Sequence, residues 1–521
     1  MMVPLPSGVY FQDMSGSVPE VKLRSSPESP IIDPHLSPDG SLVAYVRDDE
    51  LFVLDLRGGE PRKLTYCAKE NGKTHGLAEY IAQEEMDRKV GFWWSPDSKH
   101  IAFAEVDSSG IPSYRIMHQG KSSVGSDAQE DHPYPFAGGL NAKVRIGVVS
   151  VCGEGITWMD LQCGGSDRAD KDNEYLARVN WMPDNALMIQ VLNRSHTKLK
   201  ILKFDIVTGQ KETVLEEEQD IWITLHDCFM PLEKGVGKFA GGFIWASDKD
   251  GFRHLYLHDK NGACLGPITQ GNWMVEQIVG VNENAGIVYF TGTVDGPLES
   301  NLYCTSLFQD WNLPLQSPKR LTHGQGNMQL FLIIKCREII QISAKDGTIL
   351  YGALYEPDSI KFGPPPYKTL ISVYGGPTVQ SVCDSWINTV DMRAQYLRNK
   401  GILVWKLDNR GTSRRGLKFE SFLKHNIGCV DAEDQFTGAE WLIKQGLSKP
   451  GHIGLYGWSY GGFLSALSLA RFPDTFTCAV SGAPVSAWDG YDTFYTEKYL
   501  GLPLENSGAS TTPPSCTMFT I

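Results

Sequence analysis

Gly457-Trp458-Ser459-Tyr460-Gly461 fits G-x-S-x-G, the spacing that sets a serine on a strained turn between a strand and a helix. In that setting Ser459 is a candidate nucleophile. A serine hydroxyl attacks poorly unless a neighbouring base takes its proton, so a nucleophile here requires a partner elsewhere. Gly457 and Gly461 leave room for the tight turn, and the Tyr460 N–H is aimed at the oxygen that becomes negative when a carbonyl is attacked. Tyr374, in VYGGPTVQ, ends an earlier strand beside Gly375-Gly376, where a second donor to that oxygen normally lies. Its phenol can donate there, or its ring can simply pack at the strand end. Far upstream, Glu84 and Glu85 in LAEYIAQEEMDRKVGFWW form a carboxylate pair, which by itself reads as a solvated helix face.

The elements around these residues follow two patterns. To about residue 335, short strands alternate with turn residues, as in HLSPDGSLVAYVRDDELFVLDLRGGEPRKLT (35–65). There Ser37-Pro38-Asp39-Gly40 is turn chemistry, Leu42 to Val46 and Glu50 to Leu56 are strands, and Gly58-Gly59 closes the unit. The theme returns at 93–107, 179–193, 241–259 and 285–307, and Pro318-Lys319-Arg320-Leu321-Thr322 echoes Pro61-Arg62-Lys63-Leu64-Thr65. Irregular all-strand repetition predicts a β-propeller, with a long sandwich as the competing architecture. Beyond 335 the period changes. Thr369–Tyr374 and Ile402–Leu407 are apolar strands, and Cys429–Gln445 has helical spacing. Strand Ile453–Tyr456, the serine turn, helix Gly462–Arg471 and strand Cys478–Ser481 follow. That alternation predicts a parallel sheet covered on both faces, an α/β-hydrolase half.

Bulk properties exclude several classes. A chain of 521 residues exceeds a single core and divides into domains. We place the propeller at 1–335, an incomplete hydrolase domain at 336–504 and a polar tail at 505–521. The net charge, 48 − 61 = −13, argues against nucleic-acid binding, which needs a basic face. Eleven scattered cysteines with no C-x-x-C pair suggest free thiols and no zinc site, and no cofactor or metal is expected. MMVPLPSGVYFQDMSGS lacks the basic and apolar regions of a signal peptide, and no run of 18 apolar residues could span a bilayer, so a cytoplasmic chain with no membrane association is expected.

Taken together, QEEMDR before WWSP, VYGGP, GWSYGGF and WDGYDTFYTEKYLGLP resemble the dipeptidyl peptidase IV family of serine peptidases, within the prolyl oligopeptidase superfamily. The QEE-x-DR form is most similar to the cytosolic branch, dipeptidyl peptidases 8 and 9. The resemblance runs from about residue 5 to Leu504. It implies removal of N-terminal dipeptides with proline, or less often alanine, in second position, and no cofactor. It implies Ser459 as nucleophile, with Tyr374 and the Tyr460 amide as oxyanion hole. Glu84 and Glu85 would hold the substrate's free α-ammonium, and Val485, Trp488, Tyr491 and Tyr495 would line the pocket for the proline ring. An acylaminoacyl peptidase or prolyl oligopeptidase takes blocked or internal substrates, and the glutamate pair argues against it.

The chain also departs from the family. In this fold the order is Ser, Asp, His, yet the 521 − 459 = 62 residues after Ser459 contain no histidine, and His452 is the last. Neither the triad histidine nor the triad aspartate finds a match, and ENSGASTTPPSCTMFTI follows instead. Nor does the family's substrate-binding arginine near the start. The expectation is a chain truncated at both ends, with weak activity and a sheet whose last strand has an unpaired edge. Family members are often homodimers, but part of that surface would come from the segment without a match, which lowers the expectation of a dimer here. A catalytically inert scaffold, or a module that binds peptide N-termini, is the alternative.

Overall fold

Turn residues recurring every several positions divide the first three hundred residues into antiparallel sheets, built from consecutive strands except where the pair Ser113–Met117 and Gln129–Pro133 is inserted into the five-stranded sheet. The computed structural model describes residues 2–12, 20–120, 128–153, 155–161, 174–233, 239–322 and 337–503. The expected domain boundary at 335 and the tail at 505–521 lie outside the described residues. A three-stranded sheet (Met2–Leu5, Gly8–Phe11, Glu20–Arg24) comes first, followed by a four-stranded sheet over Ile32–Leu36, Leu42–Arg47, Glu50–Asp55 and Arg62–Lys63. A five-stranded sheet and three more four-stranded sheets succeed it, running to Lys319–Arg320. These are the blades of a β-propeller. Arg62–Lys63 and Lys319–Arg320 occupy equivalent outer-strand positions, so the echo between their two sequences marks the end of a blade.

Alternation along the inner strands builds the core between blades. Ala44, Val46, Leu51 and Val53 pack with Phe92, Ile101 and Phe103 of the next sheet, all but inaccessible to solvent. The five-stranded blade carries an excursion between Lys73–His75 and Phe92–Trp94, which holds helix α1 (Tyr80–Glu84). The Glu79 side chain caps α1 by accepting from the Ala82 N–H at 3.0 Å. Buried Arg88 ties the excursion down, donating Nε to the Leu176 carbonyl (3.3 Å) and Nη1 to that of Val90 (3.2 Å). The arginine of QEEMDR is thus a brace beneath the glutamates.

The remaining residues form one six-stranded sheet. Its strands are β1 (Glu338–Ser343), β2 (Ile349–Tyr355), β3 (Tyr367–Ser372), β4 (Ile402–Asp408), β5 (Ser448–Trp458) and β6 (Phe476–Gly482), in spatial order β1-β2-β4-β3-β5-β6. The first two pairings are antiparallel and the others parallel, with Ile371 beside Trp405 and Leu455 beside Ala479. Helices α2 (Val430–Lys444) and α3 (Tyr460–Arg471) cover the sheet, burying Ala439, Leu442, Phe463 and Leu464 against Leu403, Trp405 and Leu455. Trp405 sets a local constraint: a Cβ on Gly352 would meet its ring at 2.0 Å, so that position must be bare, and one on Gly438 would press on Leu407 at 2.9 Å and on the Trp405 ring at 3.0 Å. At the β6 edge Val480 is exposed, and at the end of β5 so is Trp458. Helix α4 (Thr493–Leu500) completes the described fold. Among the described residues no helix is long and apolar enough to cross a membrane.

Candidate active site

The serine turn is fixed by backbone crowding. Strand β5 ends at Trp458 and α3 begins at Tyr460, leaving Ser459 at φ 58°, ψ −119°. A non-glycine residue held there carries strain of about 1–3 kcal/mol, sustained only because its surroundings over-determine it. They do so through hydrogen bonds from the Ser459 N–H to the Gly482 carbonyl (2.9 Å) and from the Phe463 N–H to the Ser459 carbonyl (3.0 Å). A Cβ on Gly457 would sit 2.1 Å from the Gly461 carbonyl oxygen, and one on Gly461 would sit 2.2 Å from that of Val373. Both glycines of the pentad are therefore required by contact. The outcome is a half-exposed hydroxyl at the carboxyl end of the sheet.

Tyr374 follows β3 along the same sheet edge. The Ser459 side chain lies beside its phenol, and burial raises the phenol's pKa, so it stays a donor near neutrality. Its ring centroid is 6.1 Å from that of Tyr460. Gly376 separates the two rings closely enough that a Cβ there would touch both, at 2.7 and 2.9 Å. Tyr460 is itself fully buried, and its hydroxyl donates to Asp431 Oδ2 at 2.6 Å. Burial pushes the Asp431 carboxyl up to about 6, against the hydrogen bonds it accepts from Tyr460 and from the Gly428 and Ala432 N–H groups. The side chain of Tyr460 thus anchors the start of α3, leaving its main chain for the site. Asp431 carries no signal in the sequence that separates it from any other helix-start acid.

An aromatic cluster packs against Tyr460, the residue after the serine, with the Trp488 ring centroid 5.8 Å from its own. Trp488 stacks on Tyr495 at 5.9 Å with an interplanar angle of 4° and meets Tyr491 edge-on at 6.4 Å. Tyr491 and Tyr495 are perpendicular at 5.5 Å, and Val485 packs on the same core. The four residues expected to line the proline pocket come together on the segment that leads into α4.

The glutamates divide. Glu84 is exposed and helps line a 630 Å³ cavity with Tyr80, Tyr114, Tyr134 and Tyr175. Glu85 is half-buried and accepts a hydrogen bond from the Tyr491 hydroxyl at 3.0 Å, joining residues 406 apart. Asp492, absent from the sequence-based set, sits against Glu85 and is fully buried. Its place before Thr493 is a legible N-cap, and Oδ1 does accept from the Tyr495 N–H at 2.8 Å, but its carboxyl neighbour belongs to another domain. Burial raises the Glu85 carboxyl; burial and then the Glu85 charge raise that of Asp492.

Helix α4 bridges the two halves. Phe494 packs into the propeller against Tyr175 and His196, while Tyr499 meets Trp222 at 5.1 Å within the hydrolase core. The Thr493 hydroxyl donates to Asn141 (2.6 Å), and Arg194 pairs with Glu497. Helix α4, which carries Tyr495, is therefore held by the propeller.

Comparison with known proteins agrees with this architecture. Residues 4–335 match the dipeptidyl peptidase IV N-terminal region, and residues 388–512 match the prolyl oligopeptidase family. Dipeptidyl peptidase 8 of Mus musculus is 28% identical, over 91% of this chain and 66% of that protein. Prolyl endopeptidase FAP of Bos taurus is 27% identical over 90% of the chain and 68% of its own length. A probable dipeptidyl peptidase 4 of Aspergillus flavus is 26% identical over 94% and 69%. The chain thus spans about two thirds of the length of these relatives. With a strand-rich propeller, a serine elbow on an α/β-hydrolase sheet and a match across its first 335 residues, the chain belongs to the dipeptidyl peptidase IV family of serine peptidases.

Proposed function

We propose that this chain acts on peptides with a free N-terminus, as a serine-type dipeptidyl peptidase that releases dipeptides ending in proline or alanine. The observation that carries this reading is the 3.0 Å hydrogen bond from Tyr491 to Glu85. It supports a site in which a propeller carboxylate closes one end of the aromatic cluster and Ser459 serves the other. An N-terminal ammonium bound there by charge fixes the peptide's start, so the carbonyl reaching the serine is that of the second residue. The Ser459 oxygen would attack that carbonyl carbon, the C–N bond breaking as the serine proton passes to the departing amine, and water would then hydrolyse the acyl-enzyme, releasing the dipeptide and restoring the serine. The Tyr374 hydroxyl and Tyr460 N–H would donate to the oxyanion. Trp488, Tyr491, Tyr495 and Val485 would enclose the five-membered ring. An apolar pocket discriminates by only about 1–3 kcal/mol per methylene, consistent with tolerance of alanine. The domains would divide near residue 335, and the setting would be cytoplasmic.

A second reading rests on the absence of histidine from the 62 residues after Ser459. A polypeptide of these 521 residues would then hold peptide N-termini and turn them over slowly, as a binding module. The two readings separate on a Gly-Pro or Ala-Pro chromogenic substrate, assayed beside a version extended by a full family C-terminal segment. Comparable rates for the two support a working peptidase within these residues; activity only in the extended version supports the binding module. Fluorophosphonate labelling that disappears in Ser459→Ala identifies the nucleophile, and labelling that persists removes Ser459 from that role.

A further inference from the structure

Asp492 is fully buried, and although Oδ1 caps α4, its Oδ2 accepts no hydrogen bond from an N–H or O–H group of the protein. A buried carboxylate oxygen without a donor is costly, and the group beside it is another carboxyl, Glu85. Two carboxylates in contact away from water cannot both stay ionised, so one keeps a proton and bridges to the other. Every side chain facing them fits that state. Tyr491 donates to Glu85 Oε1, the oxygen that must remain an acceptor. Tyr80 and Tyr134 approach from the propeller, and Tyr374, Tyr495 and Tyr499 from the hydrolase, all with phenols raised above their usual range by burial and hence neutral. Glu84 adds negative charge from α1. Lys498 supplies positive charge, but it is shared with Glu420 and Asp248 and lowered by burial to about 8.

We propose that Asp492 and Glu85 share one proton before a peptide binds and release it to solvent when an N-terminal ammonium takes its place between them. The inference rests on the amine-pocket reading above and adds to it a residue and a coupling: Asp492 belongs to the ammonium site, and binding is linked to deprotonation. The charge balance is simple. One proton leaves the pair as one ammonium enters, so the pocket's net charge is unchanged and the buried carboxylates gain a cation each can bond. A free α-amino group titrates near 8, so below pH 7 the ligand is already cationic and the pH dependence belongs to the pair. Affinity then rises about tenfold per pH unit while the shared proton is still held.

The test is calorimetric titration of the full chain carrying Ser459→Ala with Ala-Pro amide between pH 6 and 7, in two buffers of different ionisation enthalpy. About one proton released per ligand bound is expected. Asp492→Asn retains the helix cap and can donate to Glu85, so it should bind with no proton release and with an affinity that no longer climbs with pH. Binding without proton release in the parent, or undiminished release in Asp492→Asn, overturns the shared proton and leaves the amine pocket standing. Equal binding of N-acetyl-Ala-Pro amide overturns the amine pocket itself. A far-ultraviolet spectrum and unfolding midpoint for Asp492→Asn separate a lost cap from a lost proton, and the parent's proton count decides the matter even if that variant does not fold.

Discussion

The Arg194 guanidinium grips the Glu497 carboxylate by two hydrogen bonds of 2.6 Å each, joining a propeller loop to helix α4 across 303 residues of sequence. Glu497 also accepts from the Gly138 N–H at 2.8 Å, and Arg194 donates to the Gly139 carbonyl, also at 2.8 Å. Both side chains are largely withdrawn from water, at 13% and 2% exposure. Because α4 carries Tyr495 and is capped by Asp492, the residue after Tyr491, this fork ties the aromatic cluster to the propeller.

Removing one partner of such a pair strands a buried charge. Arg194→Ala is expected to destabilise the chain by about 3–5 kcal/mol, measured by urea unfolding. Arg194→Lys keeps the charge but loses the two-pronged geometry, so it should fall between the two. Binding of a free-N-terminus dipeptide amide should weaken in both variants, because α4 no longer holds Tyr491 against Glu85.

Tyr460→Phe should cost about 1–3 kcal/mol, since the Asp431 carboxyl loses its 2.6 Å donor in a fully buried setting. Pairing it with Asp431→Asn or Asp431→Leu in a double-mutant cycle isolates the contact. If Tyr460→Phe costs the same in the presence and absence of the Asp431 carboxyl, the hydroxyl's partner is not energetically coupled to it.

How much of this was legible depends on how far each constraint reaches along the chain. Gly457, Ser459 and Gly461 lie within five residues, and the crowding that demands glycine there is local, so the elbow could be read directly. The four-stranded blades were legible for the same reason, since each is a run of consecutive strands, whereas the five-stranded one is interrupted by α1 and by the paired strands Ser113–Met117 and Gln129–Pro133. The site's far side was legible only through resemblance. That Glu85 meets Tyr491, while Glu84 lines the neighbouring cavity with Tyr80 and Tyr134, follows from where α1 ends and how it docks. That Asp492 touches Glu85 and that Arg194 holds Glu497 are pairings across domains, which composition and periodicity do not encode. Asp492 could be recognised as a cap, and Arg88 as a charge; their roles as a carboxyl partner and a brace needed the fold.

Gly457→Ala should abolish fluorophosphonate labelling of Ser459 and destabilise the chain by at least about 3 kcal/mol, the upper end for an overpacked site. The new methyl would stand 2.1 Å from one carbonyl oxygen and 2.7 Å from another, both backbone atoms with little freedom to move. By contrast, Gly446→Ala has nothing within 4 Å and differs only in its φ of 71°, so its cost should be confined to backbone strain of about 1–2 kcal/mol, with labelling retained. Loss of labelling in both would point to general misfolding and away from the elbow.

His196 should make the chain acid-sensitive. Its ring is fully buried 4.2 Å from that of Phe494, with neither nitrogen donating to or accepting from a protein group, and burial holds its pKa well below the usual value. The unfolded chain takes up this proton near pH 6.5 and the folded chain does not, so the stabilising contribution is complete above that pH and declines as the pH falls. The decline is about 1.4 kcal/mol per pH unit until the folded-state value is reached. Asp408 and Asp431, raised by burial to about 7 and 6, act in the opposite sense, their contribution being lost as pH rises through those values. The informative quantity is therefore the difference between the parent and His196→Phe. Unfolding free energies measured from pH 7.5 to 5 should show the parent losing stability relative to the variant below about pH 6.5, and parallel curves would mean that His196 is protonated in the folded chain as readily as in the unfolded one.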